Sequence, residues 1–201
     1  MGLIPGRRRT QRNADAIVRM HRYRGWLGGF SYRRYVAAQN RGNASKLDGS
    51  WVTQPNVKFL AEYLRSQLGP GIRRGLCHGT RRGLEQKWFR EELGASVIGT
   101  EIATTATEFP DTIQWDFHEA KDEWVGKFDF IYSNSLDHSY NPSLAIESWV
   151  SCLRPGGILL LEHSDRHEPD GASEIDPFGI TLAGLLLMVT RLGGGGFWVE
   201  R

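Results

Sequence analysis

The strongest constraint on this chain is an alternation that runs from residue 75 to residue 163. Short apolar runs, GLCHG, SVIGTEI, TIQWDF, FDFIYSN and GILLLEH, are separated by loops and by segments of helical spacing, Leu84 to Leu93 and Pro142 to Leu153. Strands joined through helices need crossover connections, so they lie parallel in one sheet. None of the runs alternates cleanly between apolar and polar residues, the pattern of strands covered on both faces. Upstream, Val57, Leu60, Leu64 and Leu68 mark an amphipathic helix from Gln54 to Leu68 that Gly69-Pro70-Gly71 stops. Downstream, a helix is predicted from Thr181 to Leu192, followed by GGGG and a short strand candidate, FWVE. The expected class is therefore α/β, with a doubly wound, mostly parallel, Rossmann-like sheet.

A chain of 201 residues, 40% of them hydrophobic, can bury one sizeable core. Two cysteines, Cys77 and Cys152, are too few for a disulfide framework, and MGLIPGRRRT has no apolar core behind its charges. The longest strongly apolar stretch, ITLAGLLLMVT, has 11 residues, fewer than the roughly 18 that cross a bilayer. A reducing, cytoplasmic home with no membrane span follows as the expectation. The net charge of +2 hides an asymmetry: residues 1 to 50 carry 11 Lys/Arg against 2 Asp/Glu, and residues 101 to 170 carry 4 against 14. The chain accordingly divides into a basic arm or cap over residues 1–53 and a cofactor-binding body over residues 54–201. Arginines and aromatics interleaved within residues 7–34 are suited to RNA phosphates and bases. The other reading lays this arm across the acidic body of the same molecule.

Ligands of doubly wound sheets bind beyond the carboxyl ends of the strands, where the winding reverses. Ionisable residues collect at those ends: Cys77-His78-Gly79, Glu101, Asp116-Phe117-His118, Asn134-Ser135 and Glu162-His163-Ser164. In order and spacing, CHGTRRG, GTE, WDFHE, FDFIYSNSLDH and LRPGGILLLEH resemble the core of the class I S-adenosylmethionine-dependent methyltransferases, in their type 11-like form. The resemblance covers residues 72 to 164, about half of the chain. The seventh strand usual in that family is not evident after FWVER.

The resemblance implies S-adenosylmethionine as cofactor and assigns residues to it. Gly79 and Gly83, with Thr80 between them, match glycines of the loop along which the methionine part lies. Cys77 replaces the acid that opens this motif, His78 follows it, and Arg81 replaces its middle glycine. Glu85 is available to supply the missing charge or else to sit solvated on its helix. Glu101, with Ile102 beside it, matches the carboxylate that accepts from the ribose hydroxyls, and an ionised carboxylate has two acceptor oxygens to offer a diol. Asp116 matches the acid that reaches the adenine amino group, with Phe117 or Trp115 as an apolar wall. The dinucleotide fingerprint G-x-G-x-x-G is not matched, which disfavours a nicotinamide cofactor.

Asn134, Ser135, Asp137 and His138 follow the fourth strand of the motif series, where the family faces the methyl group. His138 is the candidate general base, with Asp137 as the second catalytic candidate. The implied activity is methyl transfer to oxygen or nitrogen of a small-molecule acceptor. An RNA methyltransferase and a non-catalytic module binding RNA or protein are the alternatives. A metal reading would gather Cys77, His78, His118, His138 and His163, but no close-spaced ligand pair supports it, and no metal is assigned. His163 and His167, with Asp165 nearby, are expected to line the substrate pocket or to cap the last strand.

Overall fold

A computed structural model describes residues 16–199. The central sheet has five parallel strands, β2 (Arg74–His78), β3 (Ser96–Glu101), β4 (Thr112–Gln114), β5 (Phe128–Ser133) and β6 (Leu153–Leu161), in the order β4-β3-β2-β5-β6. The chain winds outward from β2 through β3 to β4, then crosses back to lay β5 on the other side of β2. The winding therefore reverses between β2 and β5, and the crevice opens where their carboxyl ends separate. No strand beyond β6 joins the sheet among the described residues.

Both faces are covered, which is why the strands lack polar alternation. On one face Cys77, Phe130 and Tyr132 pack with Val57, Ala61 and Leu64 of α2 (Gln54–Leu68) and Phe89 of α3 (Leu84–Leu93). On the other, Leu76 and Ile131 pack with Ile146 and Trp149 of α4 (Pro142–Cys152) and Leu185 of α5 (Leu182–Gly193). Adjacent residues such as Leu76 and Cys77 thus go to opposite layers. The caps agree with the sequence: Thr53 accepts from Asn56 N at the start of α2, and Gly69, with φ of 72°, ends it.

Several boundaries differ from the sequence reading. The β6 strand begins at Leu153, directly after α4, because Gly156 with φ of 74° lets the Pro-Gly-Gly turn be absorbed as an irregularity opposite Phe128 and Phe130. TIQWDF contributes only Thr112–Gln114 to the sheet. Of FWVE, residues 197–199 are irregular and Glu200 lies outside the described residues.

Three elements went unread. The short β1 (Val18–Met20) pairs antiparallel with β7 (Phe178–Ile180), forming a separate two-stranded ribbon. Within the basic arm, α1 (Tyr32–Ser45) forms a helix capped by Ser31. The arm is fastened to the late segment 170–180 by Arg19–Asp170 at 3.4 Å, Arg41–Glu174 at 2.7 Å and Lys46–Asp176 at 3.0 Å. Three of its seven described basic residues are thus paired with the molecule's own acidic body.

Candidate active site between the first and fourth crossover strands

The loop from β2 to α3 keeps the conformation that its glycines imply. Gly79 has φ of 72°, and a Cβ there would come within 2.5 Å of Ser135 Cβ, so the loops after β2 and β5 touch where only glycine fits. Arg81 also takes a positive φ, 43°, in the place where the motif has glycine. The strain of that conformation is held by contacts on both sides of the residue. Its backbone N–H donates to Glu101 Oε2 at 3.1 Å, and its guanidinium reaches away to the carbonyls of Lys46 and Gly49 at 3.0 and 3.1 Å. The substitution thus preserves the turn and turns its side chain outward to hold the arm.

Two connected hollows result. A cavity of about 440 Å³ is bounded by Gly79, Thr80, Glu85, Asn134, Asp137 and His138, with Trp51 and Arg166 at its rim. Beside it a slot of about 30 Å³ runs between Gly79, Glu101, Ile102, Phe117 and Ser135, roofed by Tyr35, Gln39 and Asn43 of α1. Two α1 side chains tie this roof to the loop after β3: Asn40 Oδ1 accepts from Thr104 N at 3.2 Å, and Asn43 Oδ1 accepts from Thr105 Oγ1 at 2.9 Å.

In the slot, Glu101 is buried and accepts from two backbone N–H groups, those of Arg81 and Ala103, leaving each oxygen a further lone pair. Asp116 lines neither hollow. Its Oδ1 accepts from His118 Nδ1 at 2.6 Å and from His118 N at 3.0 Å. Its Oδ2 is buried with no hydrogen bond of ordinary geometry among the described residues. Burial works against ionisation of Asp116, but the His118 bonds outweigh it and hold the carboxyl below its usual range. Tyr32, Tyr35 and Tyr140 crowd this end, Tyr140 stacking on His118 at 3.8 Å.

At the junction of the two hollows stands His138. Its Nδ1 lies 2.9 Å from Gln39 Oε1 and 3.0 Å from the Ile175 carbonyl, while Gln39 Nε2 donates to that same carbonyl at 3.2 Å. Both neighbours of Nδ1 are acceptors, so Nδ1 is the donor of this ring and Nε2 is the nitrogen turned toward Asp176 and the cavity. Nε2 sits 3.6 Å from Asp176 Oδ1, and Lys46 holds Asp176. Gln39, Lys46 and Asp176 were not foreseen, and nothing in the sequence links residues 130 positions apart. Asp137 instead faces His167, at 4.0 Å.

Two sequence candidates lie elsewhere. The Cys77 side chain points into the α2–α3 core, where burial pushes its thiol well up. His78 is buried against Trp149 at 5.1 Å and bonds Thr100 Oγ1 at 2.8 Å; burial, then the neighbouring His118, lowers its pKa to about 3, so it is a neutral core histidine. The five Cys and His residues of the metal reading do not converge, since His118 is bound to Asp116 and Ser139 and His163 Nε2 to the Ile180 carbonyl at 2.7 Å. Asp137, His138 and Asp176 do bring ligand atoms within 4.8 Å of one another, but the Lys46 ammonium already balances Asp176.

Glu85 proves to be a wall of the cavity rather than a solvated helix residue. It is buried at the start of α3, and desolvation, only partly offset by Arg81, raises its pKa to about 7. Its charge is felt at Cys77, so the acid missing from the strand end is restored nearby from the helix. A folded-state value raised from 4.5 to about 7 makes stability full below pH 4.5, falling between these values, and lower above them. Glu85→Gln is therefore expected to stabilise the chain at pH 8 by up to about 3 kcal/mol and to have little effect at pH 4, as urea unfolding at the two pH values would show.

No protein-family model matches the sequence, and no curated protein is significantly similar to it. Solved structures do share its fold. The 1,6-didemethyltoxoflavin-N1-methyltransferase of Burkholderia thailandensis, crystallised with 1,6-didemethyltoxoflavin and S-adenosylhomocysteine, superposes with a TM-score of 0.61 at 17% identity, over 81% of this chain and 79% of that one. The plantazolicin methyltransferase BpumL, in complex with SAH, gives 0.62 at 13% identity, over 81% and 76%. A SAM-dependent methyltransferase from Archaeoglobus fulgidus gives 0.52 at 18% identity, over 74% and 71%. The chain spans 61% of the length of a further neighbour, DesVI of Streptomyces venezuelae. At these identities the comparisons show the fold: a mostly parallel sheet with flanking helices, as in Rossmann-like methyltransferases.

Proposed function

We propose that this chain is an S-adenosylmethionine-dependent methyltransferase, acting on an oxygen or nitrogen of a small-molecule acceptor. The observation that carries the reading is the β2–α3 loop, whose left-handed turns at Gly79, Arg81 and Gly83 survive the loss of a glycine, with the Arg81 N–H donating to Glu101. The neighbours crystallised with S-adenosylhomocysteine support it, as does the order of motifs from CHGTRRG to LRPGG, which we assign to the type 11-like branch. A cytoplasmic location goes with this reading; among the described residues no helix is long and apolar enough to cross a membrane.

The residues present fit the cofactor. Thr80 Oγ1 is a buried polar atom with no hydrogen-bond partner among the described residues, which a methionine carboxylate would satisfy, and the Asp116 carboxylate, held by His118 with the Tyr32 hydroxyl beside it, would accept from an adenine amino group. Glu101 would accept from the ribose hydroxyls, and Glu85 would face the methionine ammonium in place of the acid lost at Cys77. Gly79, Thr80, Asn134 and Ser135 form the floor between these points. When bound, S-adenosylmethionine supplies a methyl group on an electrophilic sulfonium.

The chain's own part is positioning and proton removal. His138 Nε2, which borders the 440 Å³ cavity, is the atom that takes the proton of the acceptor. Asp176, 3.6 Å from Nε2 and paired with Lys46 at 3.0 Å, stands where it stabilises the imidazolium so formed. Of the cap proposed over residues 1–53, the described part from residue 16 lies on the body from 54 onward, with α1 closing over the adenosine slot and Trp51 over the acceptor side. The cavity is of the size usual for small molecules.

Replacing Glu101 by Gln keeps its size but weakens its acceptor charge. Affinity for S-adenosylmethionine is expected to fall about tenfold or more, equivalent to roughly 1.5 to 3 kcal/mol for a charge-assisted hydrogen bond. An unchanged dissociation constant would remove Glu101 from the site.

A further inference from the structure

We propose that the hairpin tip Trp26-Leu27 is a docking wedge for an anionic lipid surface. The two side chains are 97% and 98% exposed, the extreme values among the large apolar residues described. A rigid turn presents them: Gly25 N donates to the Gly29 carbonyl at 2.7 Å, Gly28 N donates to the Gly25 carbonyl at 3.0 Å, and Arg24 pairs with Phe30 across the base. The base is anchored in turn, with Phe30 packed on Tyr140 at 4.7 Å and Arg34 Nη1 donating to the Arg24 carbonyl at 2.7 Å.

Charge distinguishes this tip from the rest of the arm. Arg19, Arg41 and Lys46 are paired with Asp170, Glu174 and Asp176, whereas Arg22, Arg24, Arg33 and Arg34 are exposed and have no ion pair among the described residues. The arm's unpaired positive charge is therefore gathered on the base of the hairpin that carries the exposed Trp and Leu and on the first turn of α1 that follows it. That combination fits a bilayer surface: Trp is at home at headgroup depth, Leu enters the acyl boundary, and each arginine near an anionic leaflet adds attraction.

Nucleic acid fits less well, because Leu27 has no flat face for a base to stack on. A second copy meeting this tip symmetrically would set unpaired arginines against their own images.

The test is co-sedimentation of the full chain with vesicles of phosphatidylcholine alone or with about 30% phosphatidylglycerol. Binding to the anionic vesicles is expected to be at least about tenfold stronger and to weaken in about 0.5 M salt. It should be lost in the double variant Trp26→Ser/Leu27→Ser, whose circular dichroism and melting stay unchanged because both residues are exposed. Four results would overturn the proposal: no binding to either vesicle, equal binding to both, undiminished binding by the double variant, or tip-dependent binding of single-stranded RNA that excludes vesicles. A dimer in light scattering that the double variant abolishes would assign the tip to self-association instead.

Discussion

Replacing His138 by Ala is expected to lower methyl transfer by roughly 10² to 10⁴ while changing S-adenosylmethionine affinity by less than about threefold. The separation follows from where the imidazole stands. It borders both hollows, and its partners are Gln39, the Ile175 carbonyl and Asp176, so its loss removes no group assigned to the cofactor. Turnover would be read as S-adenosylhomocysteine release in a panel of hydroxyl- and amine-bearing acceptors, and affinity by calorimetry. Joint loss of binding and turnover would place His138 among the cofactor contacts. If neither changed, the base would have to be sought at Asp137 or His167.

A cross-link between α1 and the loop after β3 is expected to abolish cofactor binding. The slot beside Glu101 measures about 30 Å³, room for about one water, whereas ligand pockets run to roughly 300 Å³ or more. Adenosine enters only if Tyr35, Gln39 and Asn43 lift with their helix. Asn43 Oδ1 and Thr105 Oγ1 meet at 2.9 Å, which makes Asn43→Cys/Thr105→Cys the pair to cross-link, with closure of the disulfide verified by loss of free thiol before binding is measured; the native Cys77 and Cys152 are buried. Oxidised protein should bind S-adenosylmethionine at least about 100-fold more weakly than reduced protein, because the open state is removed from the population. Equal affinity in the two forms would mean that the cofactor is accommodated without movement of α1.

The sheet was legible in the sequence because burial on both faces forces each strand into an unbroken apolar run, and FDFIYSN becomes β5 with every residue buried. The arm was not. Of the residues that α1 buries, Gln39, Gly42 and Asn43 are polar or small, so the helix packs through hydrogen bonds and leaves no apolar stripe to read. The β1 and β7 strands have three residues each and pair across some 160 positions, too short and too distant for a local signal. At the site, Glu101 and His138 could be read from motif order, while Glu85 depended on the angle at which α3 leaves Gly83, with φ of 73°. The tautomer of His138 is set by Gln39 and Ile175, which no spacing rule connects to it.

The central claim is that the altered glycine loop still forms a cofactor site. Titration of S-adenosylhomocysteine into the full chain by calorimetry tests it without knowledge of the acceptor. One site per chain is expected, with a dissociation constant below about 100 μM that the Glu101→Gln variant weakens about tenfold or more. Absence of any binding heat or thermal stabilisation at ligand concentrations of about 1 mM would contradict the account, since a ligand held only by the folded state must raise its stability.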